Sequence, residues 1–182
     1  LPYRFAVTSS DEAAGFGYFR RHIDENPYGF VMNFELFPST MQGVNCAEGI
    51  IAALNAVAES GVAYDAVLIM RGGGSELDLA CFDDYKMALA IAEFPVPVLT
   101  AIGHDRDYHV CDMVAHKYLK TPTALAGYLI DIYSDEDAMI SGYARRIIAG
   151  ADRKLASYSH EVDMIRTRIR NGVNGKLMSY IY

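Results

Sequence analysis

The sequence predicts an α/β fold, with an open, mainly parallel sheet, helices on both faces and a long C-terminal helix after it. Four strand-like apolar runs alternate with helical segments, which is typical of βαβ units. The last third of the chain has a heptad seam with charged residues beside it, formed by Ala151, Leu155, Tyr158, Val162, Ile165 and Ile169. We therefore predict an α/β domain over residues 1–133 and a long helix, the start of a coiled-coil stalk with a frayed tail, over residues 134–182. An amphipathic helix that folds back on the sheet is the alternative for the second segment.

The first half of the chain contains two predicted strand–helix units. Ser10 or Asp11 can cap the first helix, and Asn26-Pro27 closes it. Ser60-Gly61 ends the second helix in the way that helices commonly stop. The predicted elements are, in order, a strand over 5–8, a helix over 12–24, a strand over 30–37 and a helix over 47–59.

The second half begins with the apolar run Val67–Met70, whose continuous hydrophobicity indicates a buried strand of a parallel sheet. Asp83 or Asp84 can cap the helix that follows. Thr121 suits an N-cap and Pro122 the first position of a later helix. The other predicted elements are a helix ending near Glu93, a strand over 95–102 and a helix over 109–119.

Composition limits the class of protein. The chain has 182 residues, 52% of them hydrophobic, so it can bury a sizeable core. No apolar run approaches the length of a membrane span. The cysteines, Cys46, Cys81 and Cys111, form no C-x-x-C pair, which predicts reduced thiols in a cytoplasmic protein. The net charge of −7 is unusual for a protein that binds nucleic acid unaided. The chain begins without methionine, and we expect it to be a fragment.

An anion site is predicted where the third strand ends. Arg71 follows the strand, and Gly72, Gly73, Gly74 and Ser75 come directly after it. Consecutive glycines cost conformational order but let a ligand approach the backbone. Bare amides, a guanidinium and a hydroxyl at the carboxyl end of a parallel strand suit a phosphate. A tight turn between strand and helix, with an unrelated arginine, is the alternative.

Further polar residues follow neighbouring strands, and ligands of open parallel sheets bind beyond those carboxyl ends. His104 has the imidazole best suited to proton transfer near neutral pH, and Asp107 or Asp105 could orient it, hold water or bind a metal. Thr121 and Thr123 bracket a helix N-terminus, a further anion site. Helix capping is the alternative role for each of these side chains.

Several familiar motifs are absent. The sequence has no G-x-x-x-x-G-K-[ST] P-loop, no G-x-G-x-x-G after the first strand and no G-x-S-x-G elbow. His104-Asp105-Arg106-Asp107 could ligate a hard cation, but no second group pairs with it at a distinctive spacing. His109 and His116 are seven residues apart, which predicts one helical face and a surface or satisfied pair. We assign no metal ligands.

Three segments together resemble the large subunit of exodeoxyribonuclease VII. They are Arg71-Gly72-Gly73-Gly74-Ser75 with Asp78-Leu79 and Phe82-Asp83-Asp84; Gly103-His104-Asp105-Arg106-Asp107 with Asp112 and Val114-Ala115; and Thr121-Pro122-Thr123-Ala124. Weaker similarity includes Val7-Thr8-Ser9, Phe37-Pro38 and Gln42-Gly43. The resemblance covers roughly residues 1–130, and the helical segment beyond fits the stalk of that family.

The resemblance implies an exonuclease that cuts single-stranded DNA from both ends into oligonucleotides and nucleotides. Some members of the family cleave without a divalent metal, so Mg²⁺ is compatible with this chain but not required. The resemblance also implies an N-terminal OB-fold, a small subunit bound to the stalk and a large-subunit homodimer. The OB-fold is not in this sequence, which would account for the acidic net charge. We expect the fragment to have weak activity or none by itself.

The sequence departs from the family pattern at three places. The family's aspartate after the first strand falls at Gly17 or Tyr18, its arginine before Thr-Pro-Thr at Tyr118, and its later glutamate at Gly127. The first departure removes a carboxylate expected near the scissile phosphate. It motivates an alternative, a non-catalytic nucleic-acid-binding or assembly module. A small-molecule phosphate or nucleotide binder on the same sheet is a further alternative.

Overall fold

The computed structural model describes residues 1–10, 14–72, 76–103 and 109–181. The strands in these residues are β1 (Arg4–Ser9), β2 (Asn33–Pro38), β3 (Ala66–Met70), β4 (Val98–Ala101) and β5 (Lys117–Tyr118). The α-helices are α1 (Ala14–Asp24), α2 (Cys46–Glu59), α3 (Tyr85–Ala92), α4 (Val110–Val114) and α5 (Pro122–Ile181), and a 3-10 helix covers Glu76–Asp83. The predicted α/β class with a long C-terminal helix is confirmed.

The five strands form one parallel sheet in the order β2-β1-β3-β4-β5. Val7 of β1 pairs with Leu36 on one side and with Leu68 on the other, so β1 and β3 are neighbours. The chain runs outward from β1 to β2, then returns to β3 and continues in the opposite direction. The strand order therefore reverses between β1 and β3, and a crevice opens at the carboxyl ends of strands at such a point.

Both faces of the sheet are buried, as the continuous hydrophobicity of β3 predicts. Val67 and Ile69 point into a core with α2, α3 and α4, while Leu68 and Met70 point into a core with α1 and the start of α5. All four side chains have no measurable exposure. Burying each one stabilises the fold by about 1.5–3 kcal/mol. The carboxyl end of β3 is thus held rigidly.

Two predicted helix caps are present. The Met87 amide donates to Asp84 Oδ1 at 2.9 Å, so Asp84 caps α3. The Ala124 amide donates to Thr121 Oγ1 at 3.1 Å, and α5 begins at Pro122. A side-chain cap of this kind is worth about 1 kcal/mol.

The structure corrects the predicted start of β2, which begins at Asn33 rather than Phe30. The Asn26 side chain organises the preceding turn: its Nδ2 donates to the Ile23 and Phe30 carbonyls, and its Oδ1 accepts the Phe30 amide. Gly29 adopts a φ of 71°, which favours glycine. These hydrogen bonds keep the turn out of the sheet.

The predicted helix over 109–119 is also wrong in its second half. The helix α4 ends at Val114, and Ala115 is already extended with ψ 149°. The His116 amide then donates to the Val98 carbonyl and the Leu119 amide to the Thr100 carbonyl, so this segment pairs with the edge of β4. Pairing with β4 gives these backbone groups hydrogen bonds in the sheet, and this outweighs extending α4 by about one more turn. His109 and His116 consequently do not share a helical face.

The expectation of three reduced thiols is wrong for two of them. Cys46, the first residue of α2, forms a disulfide with Cys81 of the 3-10 helix, and their Cα atoms are 6.0 Å apart. Cys111 is free and buried. A separation of 35 residues in sequence gives no measure of distance in space, so the composition could not indicate this pair.

The chain divides into two compact units, Leu1–Ser134 and Asp135–Tyr182. The described part of the second unit is helical as far as Ile181, through Gly172 and Gly175. The seam residues Leu155, Tyr158, Val162, Ile165 and Ile169 are all more than half exposed. No helix of the described residues is both long and apolar enough to cross a membrane.

Candidate functional site

A crevice of about 900 Å³ lies at the point where the strand order reverses. Arg71 and Gly72, which follow β3, form part of its wall, together with Ser10 after β1. The segment after β2 and one face of α2 complete the lining. This is the position at which doubly wound sheets bind their ligands. The predicted phosphate-binding stretch therefore begins in the crevice.

Arg71 is held firmly at this edge. Its backbone amide donates to the Ala101 carbonyl at 3.0 Å, which continues the pairing of β3 with β4 by one residue. The residue is only 7% exposed, although it lines the crevice. A guanidinium carries five N–H donors and can serve protein and ligand together. Being mostly removed from water, it should attract an anion more strongly than a surface arginine would.

Five of the predicted site residues lie outside the described residues: Gly73, Gly74, Ser75, His104 and Asp107. Their roles stay predictions. The strands that precede them are described, and β3 and β4 are paired through Met70 and Ala101. The loop after β3 and the loop after β4 thus start from neighbouring strands.

Thr121 and Thr123 are not among the described residues that line the crevice. The Thr121 hydroxyl accepts the Ala124 amide, and its Oγ1 lies 3.3 Å from Thr123 Oγ1. The capping role accounts for Thr121 structurally. Their predicted contact with substrate stays a prediction.

The start of α1 packs directly on the arginine segment. A Cβ atom built on Gly15 would lie 2.6 Å from the Gly72 Cα and 3.2 Å from the Arg71 carbonyl oxygen. No side chain fits in that space, so glycine is required for this close approach. Gly17, two residues further along α1, has open space around it. The sequence shows both glycines only as weak points of a helix and does not distinguish them.

Two hydroxyl groups of β1 are buried beside the crevice. Thr8 Oγ1 and Ser9 Oγ have no hydrogen-bond partner among the described residues. Both side chains have no measurable exposure. They lie at the carboxyl end of β1, the strand that borders β3.

A polar network that sequence reasoning missed lies at the start of α4. His109 is 7% exposed, and its Nδ1 lies 3.2 Å from Asp83 Oδ2. Asp83 Oδ1 also accepts the Val110 amide at 2.9 Å. The nearby Asp112 carboxylate is buried and accepts the Thr100 hydroxyl at 2.6 Å. The sequence predicted Asp83 as a cap or surface residue and offered no signal for this pairing across 26 residues.

The free cysteine is not suited to nucleophilic chemistry. Burial, and then the nearby carboxylates of Asp112, Asp83 and Asp84, raise the pKa of the Cys111 thiol to about 12. The thiol is therefore protonated at neutral pH, whereas the thiolate is the reactive form. Among the described residues, no group of three or more His, Cys, Asp or Glu side chains is arranged to hold a metal ion.

Fold and crevice together define a doubly wound parallel α/β protein with an arginine-lined crevice at the switch point of its sheet. The model of the family described as "Exonuclease VII, large subunit" matches residues 1–179. The chain belongs to this family.

Curated relatives agree with that assignment. The exodeoxyribonuclease 7 large subunit of Deinococcus radiodurans is 38% identical over 154 residues, which cover 84% of this chain and 37% of that protein. The protein of the same name from a Nostoc species is 32% identical over 173 residues, covering 93% of this chain and 40% of the relative. That from Acaryochloris marina is 38% identical over 125 residues, covering 69% and 29%. The chain thus spans well under half of these proteins. A comparison with solved structures matches a fusion that contains the yeast Spc42 trimeric coiled coil. The match covers 93% of this chain and 97% of that one at 19% identity, and its TM-score of 0.37 is too low to support an argument.

Proposed function

We propose that this chain is the catalytic part of an exonuclease that hydrolyses phosphodiester bonds of single-stranded DNA to oligonucleotides and nucleotides. The observation that carries the proposal is the buried Arg71 in the wall of the crevice, in a family whose curated members are named exodeoxyribonucleases. A planar guanidinium binds two phosphate oxygens at once, which suits a phosphodiester.

In this proposal the scissile phosphate is held by Arg71 and the backbone amides of residues 72–75. A water oxygen attacks the phosphorus, and the bond from phosphorus to the leaving oxygen breaks. The guanidinium and amides stabilise the negative charge of the pentacovalent state, a contribution that is usually the largest in catalysis. Thr121 and Thr123 would bind a further phosphate of the strand.

His104 is the proposed proton carrier, which delivers a proton to the leaving oxygen or takes one from the attacking water. Such a role contributes about 10²–10⁴-fold to the rate. Asp107 would orient the imidazole or the water. His104-Asp105-Arg106-Asp107 also offers nitrogen and oxygen ligands to a hard cation, so we propose Mg²⁺ as compatible with cleavage but not essential to it.

The test is a nuclease assay on single- and double-stranded DNA with the full-length large subunit and its small subunit, in EDTA and in Mg²⁺. We expect cleavage of the single strand in both, and a loss of about 10²–10⁴-fold in Arg71→Ala and His104→Ala. Arg21→Ala and His22→Ala are matched controls, because both side chains are exposed on α1. Unchanged cleavage by His104→Ala would exclude its assigned role.

A second candidate function is a non-catalytic nucleic-acid-binding or assembly module. It is favoured by the absence of an acid at Gly17 or Tyr18, both of which are exposed on α1. The same assay separates the two functions, since a module without catalysis would leave the DNA intact in every variant.

We further propose that the exposed seam of the second unit binds the small subunit and that two large subunits associate in the cytoplasm. Leu155, Val162 and Ile169 are 56–65% exposed, and water contact with such apolar side chains is unfavourable without a partner.

A further inference from the structure

The crevice is larger than a phosphate needs. Its volume of about 900 Å³ falls in the range of sites that enclose whole small molecules. The walls are mostly apolar, and polar groups stand among them. The apolar lining residues include Phe37, Met41, Ala52 and Ala56, and the polar ones include Gln42 and Arg71.

The space exists because one face of α2 carries small side chains. Ala52 and Ala56 are four residues apart, so they lie on the same face, and both are exposed. Gly49 continues this face, and a Cβ there would lie 3.0 Å from Ser39 Oγ. Larger side chains at these positions would fill the crevice.

Small side chains alone do not indicate the chemistry of a ligand, but another residue of the lining does. Arg71 is a charged side chain with 93% of its surface buried, and it lines the same cavity. Gly72 lies beside it and presents backbone without a side chain. A ligand of this cavity would therefore combine an anionic group at Arg71 with an apolar body of several hundred Å³ against α2.

We propose that the crevice binds the sugar and base of the nucleotide adjacent to the phosphate at Arg71. This inference rests on the proposed nuclease function and extends it to a specific subsite. A nucleobase has apolar faces and a polar edge, which match apolar walls such as Phe37 and Met41 and the Gln42 amide. Since the phosphate, sugar and base are covalently joined, a phosphate at Arg71 brings its own nucleoside into the cavity.

The subsite supplies a physical reason for a preference for single strands. A base can enter the cavity only after it leaves its stack and its partner strand, which costs a few kcal/mol in a duplex and less in a single strand. Contacts of a base with apolar and aromatic side chains tolerate any sequence, because every base has an apolar face. The crevice would thus favour single-stranded over double-stranded DNA without a preference for a base sequence.

The experiment fills the cavity in the assembled enzyme with Ala56→Leu and, independently, with Ala52→Leu. Ala58→Leu is the matched control, because Ala58 is exposed on the same helix and is not among the lining residues. Base contacts are worth about 1–3 kcal/mol each, so we expect KM for single-stranded DNA to rise by about 5–150-fold in both cavity variants. The kcat value and the circular dichroism spectrum should change little, and Ala58→Leu should match the wild type.

A second substrate tests the base directly. On a strand that carries an abasic sugar at the cleaved end, the wild type should lose most of its advantage over Ala56→Leu, because neither protein can then use the cavity. Equal KM values for Ala56→Leu, Ala52→Leu and Ala58→Leu on normal DNA would overturn the proposal. So would an undiminished difference on the abasic strand.

Failure of the subsite and failure of the nuclease function give different results. If Arg71→Ala abolishes cleavage while the leucine variants behave as the wild type, only the subsite is wrong. If the assembly cleaves no DNA, binding of oligo-dT is measured by fluorescence anisotropy with the same three variants. Loss of affinity in Ala52→Leu and Ala56→Leu alone would then support the subsite, and equal affinity would overturn it.

Discussion

Asp83 connects the two segments that carry the predicted catalytic residues. It is the last residue of the 3-10 helix that follows the loop after β3. Its carboxylate contacts both the His109 imidazole and the Val110 amide, which come directly after the loop of residues 104–108. The segments that follow the two loops are thus joined through Asp83, and the strands that precede them are paired with each other. Asp83 would act as a positioning residue for His104 and Asp107, without touching substrate.

Replacing Asp83 with alanine should destabilise the fold by about 1–2 kcal/mol, because the change leaves the Val110 amide and the His109 ring without their acceptor. This loss lies at the low end of what hydrogen bonds to a charged group contribute to stability, because the Asp83 side chain is 49% exposed and partly solvated. Urea unfolding of the wild type, Asp83→Ala and Asp83→Asn measures this.

Asp83→Asn keeps a carbonyl oxygen for the Val110 amide and should recover part of the loss. Asp131→Ala is the control, because Asp131 is exposed on α5 and should change stability by less than about 0.5 kcal/mol. A free energy of unfolding for Asp83→Ala equal to that control would refute the bracing role.

Individual residues were predictable from sequence where the signal was local. Asp84 and Thr121 are caps, and the hydrogen bond of each reaches only three residues along the chain. The pairing of Asp83 with His109 spans 26 residues and depends on how the 3-10 helix packs on α4. The spacing of residues along the chain does not predict that packing. The crevice residues from Phe37 to Gln42 were missed as a site for the same reason.

Among the elements, the first turn of α1 and the segment after β3 lie very close together. Gly15 allows the first turn of α1 to lie against the backbone of Arg71 and Gly72. The helix therefore sets the position of the segment proposed to hold phosphate. Phe19 and Ile23 on the same helix are buried in the core and keep α1 from moving away.

Gly15→Ala should force α1 and the Arg71 segment apart and destabilise the fold by about 1–3 kcal/mol, as overpacking commonly does. Gly17→Ala is the matched control on the same helix. Its new methyl group meets open space, so it should stabilise the protein by about 0.5–1 kcal/mol through helix propensity. Urea unfolding followed by circular dichroism measures both changes. Two variants of equal stability would show that the close approach carries no strain.

Elements were predictable where a period persisted over several turns or a strand was apolar throughout. The sheet, α2 and the long helix fall in this class. The segment after β4 was not predictable, because α4 has only five residues and its continuation pairs with β4 through backbone groups that every residue carries. The helix α5 continues through Gly172, since one glycine costs a helix only about 1 kcal/mol.

Across the whole molecule, charge is divided unequally between the two units. Residues 1–134 hold 8 basic and 17 acidic side chains, and residues 135–182 hold 8 and 6, so their formal charges are −9 and +2. The α/β unit contains the candidate site but repels a polyanion at long range. Affinity for DNA must then come from short-range contacts in the crevice, from the second unit or from parts of the protein beyond this chain.

The chain alone should accordingly bind oligo-dT weakly, with a Kd of about 100 µM or higher at 150 mM salt, the weak end of non-specific binding. Arg168 and Arg170 are exposed on the second unit. Their joint replacement by glutamine should lower the slope of log K against log salt by about 1.4, since each phosphate contact of a single strand contributes about 0.7. Joint replacement of Arg21 and Lys86, which are exposed on the acidic unit, should leave the slope unchanged.

Fluorescence anisotropy between about 20 and 200 mM salt measures this dependence. Nanomolar binding at 150 mM salt would contradict the weak affinity expected of this chain, and equal slopes for both pairs would exclude Arg168 and Arg170 as sources of phosphate contacts.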